Sequence, residues 1–129
     1  MNPTASTSPA ARPRGPDVPI EVVALDAPAR RACGYAARRM RGVLEKEPRR
    51  VLHARVTLAV APDPAVARPC RVHATVDVDG RPVQARAAAP TLPEAIDAAA
   101  ARLRTQLVRL DQRRRRRRRA RPRGASSPE

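Results

Sequence analysis

Aromatic residues are almost absent from this chain of 129 residues, which has one Tyr and neither Phe nor Trp. Proteins that recognise single-stranded nucleic acids commonly stack the bases on aromatic side chains, so we exclude that mode of recognition for this chain. The apolar core has to be built from Val, Leu, Ile and Ala. This composition predicts a thin core of modest stability.

Cysteines and long apolar runs are also scarce. Two cysteines, Cys33 and Cys70, are too few for a disulfide framework of the kind that small secreted domains use. The first ten residues, MNPTASTSPA, contain no charged segment followed by the apolar stretch of a signal peptide. No apolar run approaches the length of a membrane span. We therefore expect a cytoplasmic protein with no membrane association.

Lysine is nearly missing from a strongly cationic chain. Lys and Arg together number 27 against 12 acidic residues, for a net charge of +15, and Lys46 is the only lysine. Arginine presents a planar fork of donors that suits phosphate oxygens and stacks on bases. The composition favours a polyanionic partner over a merely soluble surface.

The charge is distributed unevenly and predicts three segments. Residues 1–19 are rich in Pro, Ser, Thr and Ala without periodicity, which predicts a disordered extension. Residues 20–111 carry 16 cations and 10 anions and are predicted to fold. Residues 112–129 carry nine arginines and one Glu, and their mutual repulsion predicts a disordered, Arg-rich tail.

The first half of the predicted domain contains a strand and then a helix. A β run covers residues 20–25, Asp26 supplies an N-cap, and Pro28 fits the first helical turn. Helical spacing then extends to Leu44, and Pro48 stops the pattern. The apolar stripe of this helix consists of Ala29, Ala32, Cys33, Ala36, Met40, Val43 and Leu44.

The second half contains three strands and a helix. Apolar and polar residues alternate over residues 53–60, 71–78 and 83–88, and Asp79-Gly80 predicts a hairpin between the last two. Thr91 and Glu94 form a capping box that begins the final helix. The apolar stripe of that helix is Ile96, Ala99, Ala100, Leu103, Leu107 and Leu110.

These elements predict an α+β fold of order β-α-β-β-β-α. Two roughly parallel helices would cover the apolar face of a four-stranded sheet, because both helices and the sheet have one apolar side each. The helices would then present their arginines side by side. The other sheet face would remain open to solvent and carry His53, Arg55, Thr57, Arg71, His73, Thr75, Gln84 and Arg86.

The order and spacing resemble a known family. The hairpin of residues 76–87, the Ala95-Ile96-Asp97 opening of the last helix, and the later Arg102-Leu103 and Gln106-Leu107 pairs with Arg109 are similar to the ribosome hibernation-promoting and ribosome-associated inhibitor (sigma modulation) family. The resemblance covers roughly residues 20–112. We expect the short form of the family, since the resemblance does not extend to the C-terminal dimerisation domain of the long form.

The resemblance implies a fold like that of double-stranded RNA-binding domains and a translation inhibitor of the stress response. Such a protein binds the rRNA of the small ribosomal subunit at the decoding region, blocks mRNA and tRNA binding, and is a monomer off the ribosome. The implied RNA-binding residues are Arg31, Arg38 and Arg41 on the first helix and Arg102 and Arg109 on the second, flanked by Arg39 and Arg104. The basic tail has no counterpart in the family, but its charge predicts that Arg113, Arg114, Arg115 and Arg116 add phosphate contacts that carry no sequence information.

Other interpretations stay open. The helix arginines could form an ordinary solvated face, and the run Arg113–Arg119 could be a nuclear-type address or a low-complexity tail. A general, nucleoid-type nucleic-acid-binding protein driven by the tail is one alternative function. A regulatory adaptor that binds a protein through the open sheet face or an edge strand is another.

Enzymatic and metal-dependent functions are not predicted. The sequence has no phosphate-binding loop, no zinc-protease or nucleophile-elbow motif, and no paired CxxC, so we expect neither a catalytic residue, a cofactor nor a small-molecule substrate. Cys70 and His73 are separated by an odd number of positions on one strand. Their side chains should point to opposite faces, which argues against a shared metal.

Overall fold

The computed structural model describes residues 18–120, with side chains described through Arg118. Its elements are β1 (Ile20–Ala24), α1 (Ala27–Arg30), α2 (Cys33–Leu44), β2 (Val51–Val60), β3 (Cys70–Val78), β4 (Arg81–Ala89) and α3 (Leu92–Ala120). The predicted α+β order is confirmed, with the first helical region divided in two. Within this range no helix combines the length and the apolarity needed to cross a bilayer. The predicted disorder of residues 1–17 and 121–129 lies outside the described residues.

The four strands form one sheet in the order β1-β2-β3-β4. β1 pairs with β2 in parallel, because α1 and α2 return the chain to the starting edge between them. β2 with β3 and β3 with β4 pair antiparallel. β1 and β4 are therefore the two edge strands.

The sheet has one buried and one open face, as the alternation predicts. Leu58, Val72 and Val76 are at most 2% exposed and lie beneath the helices. Alanines fill much of the remaining core, including Ala54 and Ala74, so the layers are held by small contact areas. The side chains predicted for the open face are exposed or half-buried: His53, Arg55, Thr57, Arg71, His73, Thr75, Gln84 and Arg86.

Asp26 begins the first helix, as predicted. Its Oδ1 accepts a hydrogen bond from the Ala29 amide at 2.8 Å, and its Oδ2 accepts one from the Val60 amide at 2.8 Å. The predicted single helix is interrupted at Arg31 and Ala32, whose amides bond to carbonyls three residues back instead of four. This tightening of the turn separates α1 from α2.

The predicted hairpin is confirmed at Asp79 and Gly80, which have φ angles of 53° and 86°. Two consecutive residues in the left-handed region suit the right-handed twist of the paired strands. The Asp77 carboxylate accepts a hydrogen bond from the Gly80 amide at 2.8 Å and fixes the turn.

The last helix is longer than the sequence predicts. Thr91 Oγ1 accepts the Glu94 amide at 3.3 Å, which confirms the predicted N-terminus. At the other end α3 continues to Ala120, whereas the run of arginines predicts disorder from residue 112. Arginine is a good helix former. The repulsion among the arginines is partly relieved by ion pairs of Arg114 with Asp79 and Arg115 with Asp111, both at 3.2 Å.

Both long helices lie on the buried face and run in the same direction, as predicted. Tyr35, near the start of α2, contacts Asp97, near the start of α3. Further along, Val43 near the end of α2 and Val108 in the middle of α3 line one groove of about 260 Å³. We call the surface between them the inter-helix groove.

Candidate nucleic-acid interface

Four predicted site residues lie together on one side of α3. Arg102, Arg109, Arg113 and Arg116 are seven, four and three residues apart, and these spacings place them on one stripe of a helix that turns about 100° per residue. All four side chains are exposed. We call them the basic flank. It faces away from α2, because Asp97 and Val108 occupy the α2 side of the helix.

Two members of the basic flank, Arg102 and Arg109, lie beside the edge strand β4. Arg102 and Arg109 line a shallow depression of about 440 Å³ together with Gln84 and Arg86 of that strand. Arg102 Nη1 also donates a hydrogen bond to the Arg86 carbonyl oxygen at 2.5 Å. The side chain thus covers part of an otherwise unpaired strand edge, which protects the sheet against pairing with another strand.

The arginines of the first helical region do not join this stripe. Arg38 and Arg41 are exposed on α2, and Arg31 is exposed in the turn before it. Arg41 is two residues from Arg39 and therefore lies about 160° around the helix from the side that contacts α3. The sequence predicts that the two helices present their arginines side by side. The structure instead separates Arg41 from the basic flank, because α2 and α3 pack through Tyr35, Arg39 and Asp97.

Arg39 faces α3 but is engaged in an ion pair. Its Nε lies 2.9 Å from Asp97 Oδ1, and the same oxygen accepts a hydrogen bond from the Tyr35 hydroxyl. The hydrogen bonds from Tyr35 and then from Arg39 lower the pKa of Asp97 below its ordinary value. The bond to Asp97 raises the pKa of Tyr35. This cluster joins the two helices, and it occupies the guanidinium that the sequence assigned to RNA.

Three further predicted site residues differ in their surroundings. Arg104 lines the inter-helix groove with Lys46 and Asp111, on the side of α3 opposite the basic flank. Arg114 is held by Asp79 of the hairpin, and Arg115 by Asp111 one turn earlier. Each pair engages one guanidinium nitrogen, Nη1 of Arg114 or Nε of Arg115, so a phosphate group would share either side chain with a carboxylate.

Two arginines that the sequence analysis did not assign to a site lie next to the basic flank. Arg86 of β4 and Arg71 of β3 are exposed on the open sheet face. With Arg102 they line a depression of about 520 Å³ across that face. Strand alternation had placed Arg71 and Arg86 on the open face. Their proximity to α3 follows only from the packing of that helix over the sheet edge, which has no local sequence signal.

The cysteines show no ligand arrangement. Cys70 is buried on the core side of β3, whereas His73 lies on the open face, so their predicted separation is confirmed. Burial raises the pKa of the Cys70 thiol, which keeps it protonated and unreactive at neutral pH. Among residues 18–118, no three His, Cys, Asp or Glu side chains are grouped as metal ligands.

The fold is that of a known class of ribosomal subunit interface proteins. The N-terminal domain of Protein Y from Thermus thermophilus superposes with a TM-score of 0.57 at 23% identity, covering 70% of this chain and 94% of that one. A ribosomal subunit interface protein from Coxiella burnetii superposes with a TM-score of 0.56 at 17% identity, covering 72% of this chain and 97% of that one. At these identities the likeness defines the fold.

Sequence defines the family. Residues 34–115, more than half of the chain, match the model of the sigma 54 modulation protein / S30EA ribosomal protein family, and the chain belongs to that family. This membership places it among ribosome-associated modulation proteins and confirms the resemblance found in the sequence. No curated protein is significantly similar to the chain.

Proposed function

We propose that this protein inhibits translation by binding the small ribosomal subunit at the decoding region, where it blocks mRNA and tRNA. Membership of a ribosome-associated family supports a ribosomal target. The observation that carries the proposal is the basic flank, four exposed arginines on one stripe of α3. The site of action would be cytoplasmic, and the protein would act as a monomer without a cofactor.

The chemistry of the surface favours the phosphate backbone of rRNA over its bases. The one aromatic side chain, Tyr35, packs half-buried against the core with its hydroxyl bonded to Asp97, so the surface has no set of aromatic rings on which successive bases could stack. Exposed guanidinium groups bind phosphate oxygens and release condensed counterions, which gives affinity without sequence readout. The predicted mechanism is occlusion by a folded domain held by electrostatic contacts.

Sedimentation of the purified chain with small subunits tests the proposal. Wild-type protein should co-sediment at low salt and dissociate as the salt concentration rises. The double variant Arg102→Glu/Arg109→Glu should lose binding and lose inhibition of translation in vitro. The matched control is Arg50→Glu/Arg81→Glu, since both residues are exposed and neither belongs to the basic flank. Wild-type protein that stays at the top of a low-salt gradient would refute the proposal.

The arginines at the end of α3 support a second candidate, a general nucleic-acid-binding protein. Arg116, Arg117 and Arg118 are exposed on the last turns of the helix. Deletion of residues 112–129 separates the two functions. A ribosome-specific protein should keep a weakened affinity for small subunits after the deletion. A general binder should lose its affinity, and duplex DNA should compete for the full-length chain as well as ribosomes do.

A further inference from the structure

Arginines continue from α3 onto the open face of the sheet. In the β3–β4 register Arg71 faces Ala88 and His73 faces Arg86, so Arg71 and Arg86 are diagonal neighbours on one face. Such neighbours have Cα atoms roughly 7–8 Å apart, within reach of one extended ligand. Both line the depression on this face, and Arg102 closes it at the β4 edge.

Arg102 connects this face to the helix. Its guanidinium sits at the strand edge because Nη1 donates to the Arg86 carbonyl. On the helix side of the same edge, Arg86, Arg102 and Arg109 share the second depression. Arg71, Arg86, Arg102 and Arg109 thus form one continuous surface that wraps around β4, which we call the edge band.

Acidic groups lie elsewhere on this side of the molecule. Glu21 of β1 pairs with Arg55 at 3.4 Å, at the opposite edge of the sheet. Asp77 lies near the hairpin, where it accepts the Gly80 amide. Among the side chains of residues 18–118, none of the edge-band arginines takes part in a carboxylate ion pair. The edge band is therefore a cationic strip whose charge is not locally neutralised.

We propose that the edge band binds the sugar-phosphate backbone of a single RNA strand that passes from α3 around the β4 edge onto the open sheet face. This inference rests on the proposed function and extends its RNA-contacting surface beyond the helices. Four guanidinium groups that follow one another around the β4 edge offer successive contacts to the phosphates of a nucleic-acid strand. No aromatic residue lies on the open face, so the contact would be independent of base sequence.

Salt-dependent binding of a fluorescently labelled oligouridine tests the edge band. The variant Arg71→Gln/Arg86→Gln should bind more weakly. A plot of log affinity against log salt has a negative slope, and its magnitude should decrease by roughly 1.4, about 0.7 for each lost phosphate contact. Arg71→Lys/Arg86→Lys retains both charges and should retain the slope. The control Arg50→Gln/Arg81→Gln removes the same charge near the hairpin and should leave the slope unchanged. Circular dichroism verifies the fold of each variant.

The possible outcomes distinguish this inference from the proposed function. An unchanged slope in Arg71→Gln/Arg86→Gln overturns the edge band, even if wild-type protein sediments with small subunits. An equal loss in the Arg50→Gln/Arg81→Gln control also overturns it, because net charge alone would explain the effect. Competition by polyglutamate as strong as that by oligouridine would instead indicate an acidic protein partner and contradict the RNA assignment. A reduced slope without ribosome binding would refute only the proposed function.

Discussion

Arg114 of α3 and Asp79 of the β3–β4 hairpin form an ion pair at 3.2 Å, although they are 35 positions apart in sequence. Asp79 has a φ angle of 53°, so the carboxylate is carried by the turn itself. The contact attaches the arginine-rich end of the helix to the folded domain. It gives the last turns of α3 an anchor that helix propensity does not supply.

Removal of this anchor should loosen the end of the helix. In Asp79→Asn the new side chain tolerates the left-handed conformation but has no charge. Hydrogen exchange of residues 112–118 should accelerate, by an amount that reflects a surface pair of about 0.2–1 kcal/mol, while residues 95–110 remain protected. Asp63→Asn removes an exposed loop carboxylate and serves as the control. Unchanged exchange in Asp79→Asn would mean that the helix end is stable without the pair.

A second prediction concerns the pair of Glu47 and Arg49. Their side chains are only 4% and 11% exposed, and Arg49 Nη2 also donates to the Leu107 carbonyl of α3 at 2.9 Å. Arg49 Nη1 is buried without a partner among the described atoms. Glu47→Leu or Arg49→Met alone leaves one charge buried and unpaired, and each should cost about 3 kcal/mol in urea denaturation.

The double variant is the informative comparison. Glu47→Leu/Arg49→Met removes both charges, so it should cost clearly less than the two single variants added together. Strict additivity of the two costs would show that the side chains do not interact energetically.

The carboxylate of Asp97 should make stability depend on acid pH. Its pKa is lowered by Tyr35 and Arg39, so its stabilising contribution is complete above the ordinary carboxyl pKa of about 3.9. That contribution is lost as the pH falls through the lowered value. Asp97→Asn should cost about 1 kcal/mol or less at neutral pH, because the pair with Arg39 is about half exposed. The urea midpoint of Asp97→Asn should fall less steeply than that of wild type as the pH is lowered through the acid range. The control Glu45→Gln should follow the wild-type curve.

The fourth prediction concerns Asp26, whose two carboxylate oxygens accept the amides of Ala29 and Val60. Asp26→Ala removes the cap of α1 and leaves the Val60 donor unpaired, so it should cost roughly 2–3 kcal/mol. Asp26→Asn retains one acceptor oxygen, so its stability in thermal and urea unfolding should lie between those of wild type and Asp26→Ala. Equal stability of the Ala and Asn variants would mean that only one of the bonds matters.

Most of the fold follows from local sequence signals. Strand alternation, the Asp79-Gly80 turn, the Asp26 cap and the Thr91 cap each act over a few residues, and each appears where the pattern predicts it. The sequence does not predict the break at Arg31 and Ala32, because the apolar stripe continues through it. The sequence also does not predict that α3 continues past residue 111, because the pairing of Arg114 with Asp79 is a long-range contact.

The site was less predictable than the fold for the same reason. Helical spacing identifies Arg102 and Arg109 as neighbours, but it does not show which side of α3 meets α2. The contact of Tyr35 and Arg39 with Asp97 decides that orientation, and it turns the basic flank towards β4. Arg71 and Arg86 join the surface only through this tertiary arrangement.

The contact between Tyr35 and Asp97 has a practical consequence. Since Tyr35 is the one chromophore of the chain that absorbs near 280 nm in any strength, ultraviolet spectra of the protein report on a single point. Near-ultraviolet dichroism and tyrosine emission should therefore follow the junction of the two helices without background from other rings. Ribosomal RNA absorbs in the same region, so these spectra are useful for the isolated chain and its unfolding, and not for its complex with the ribosome.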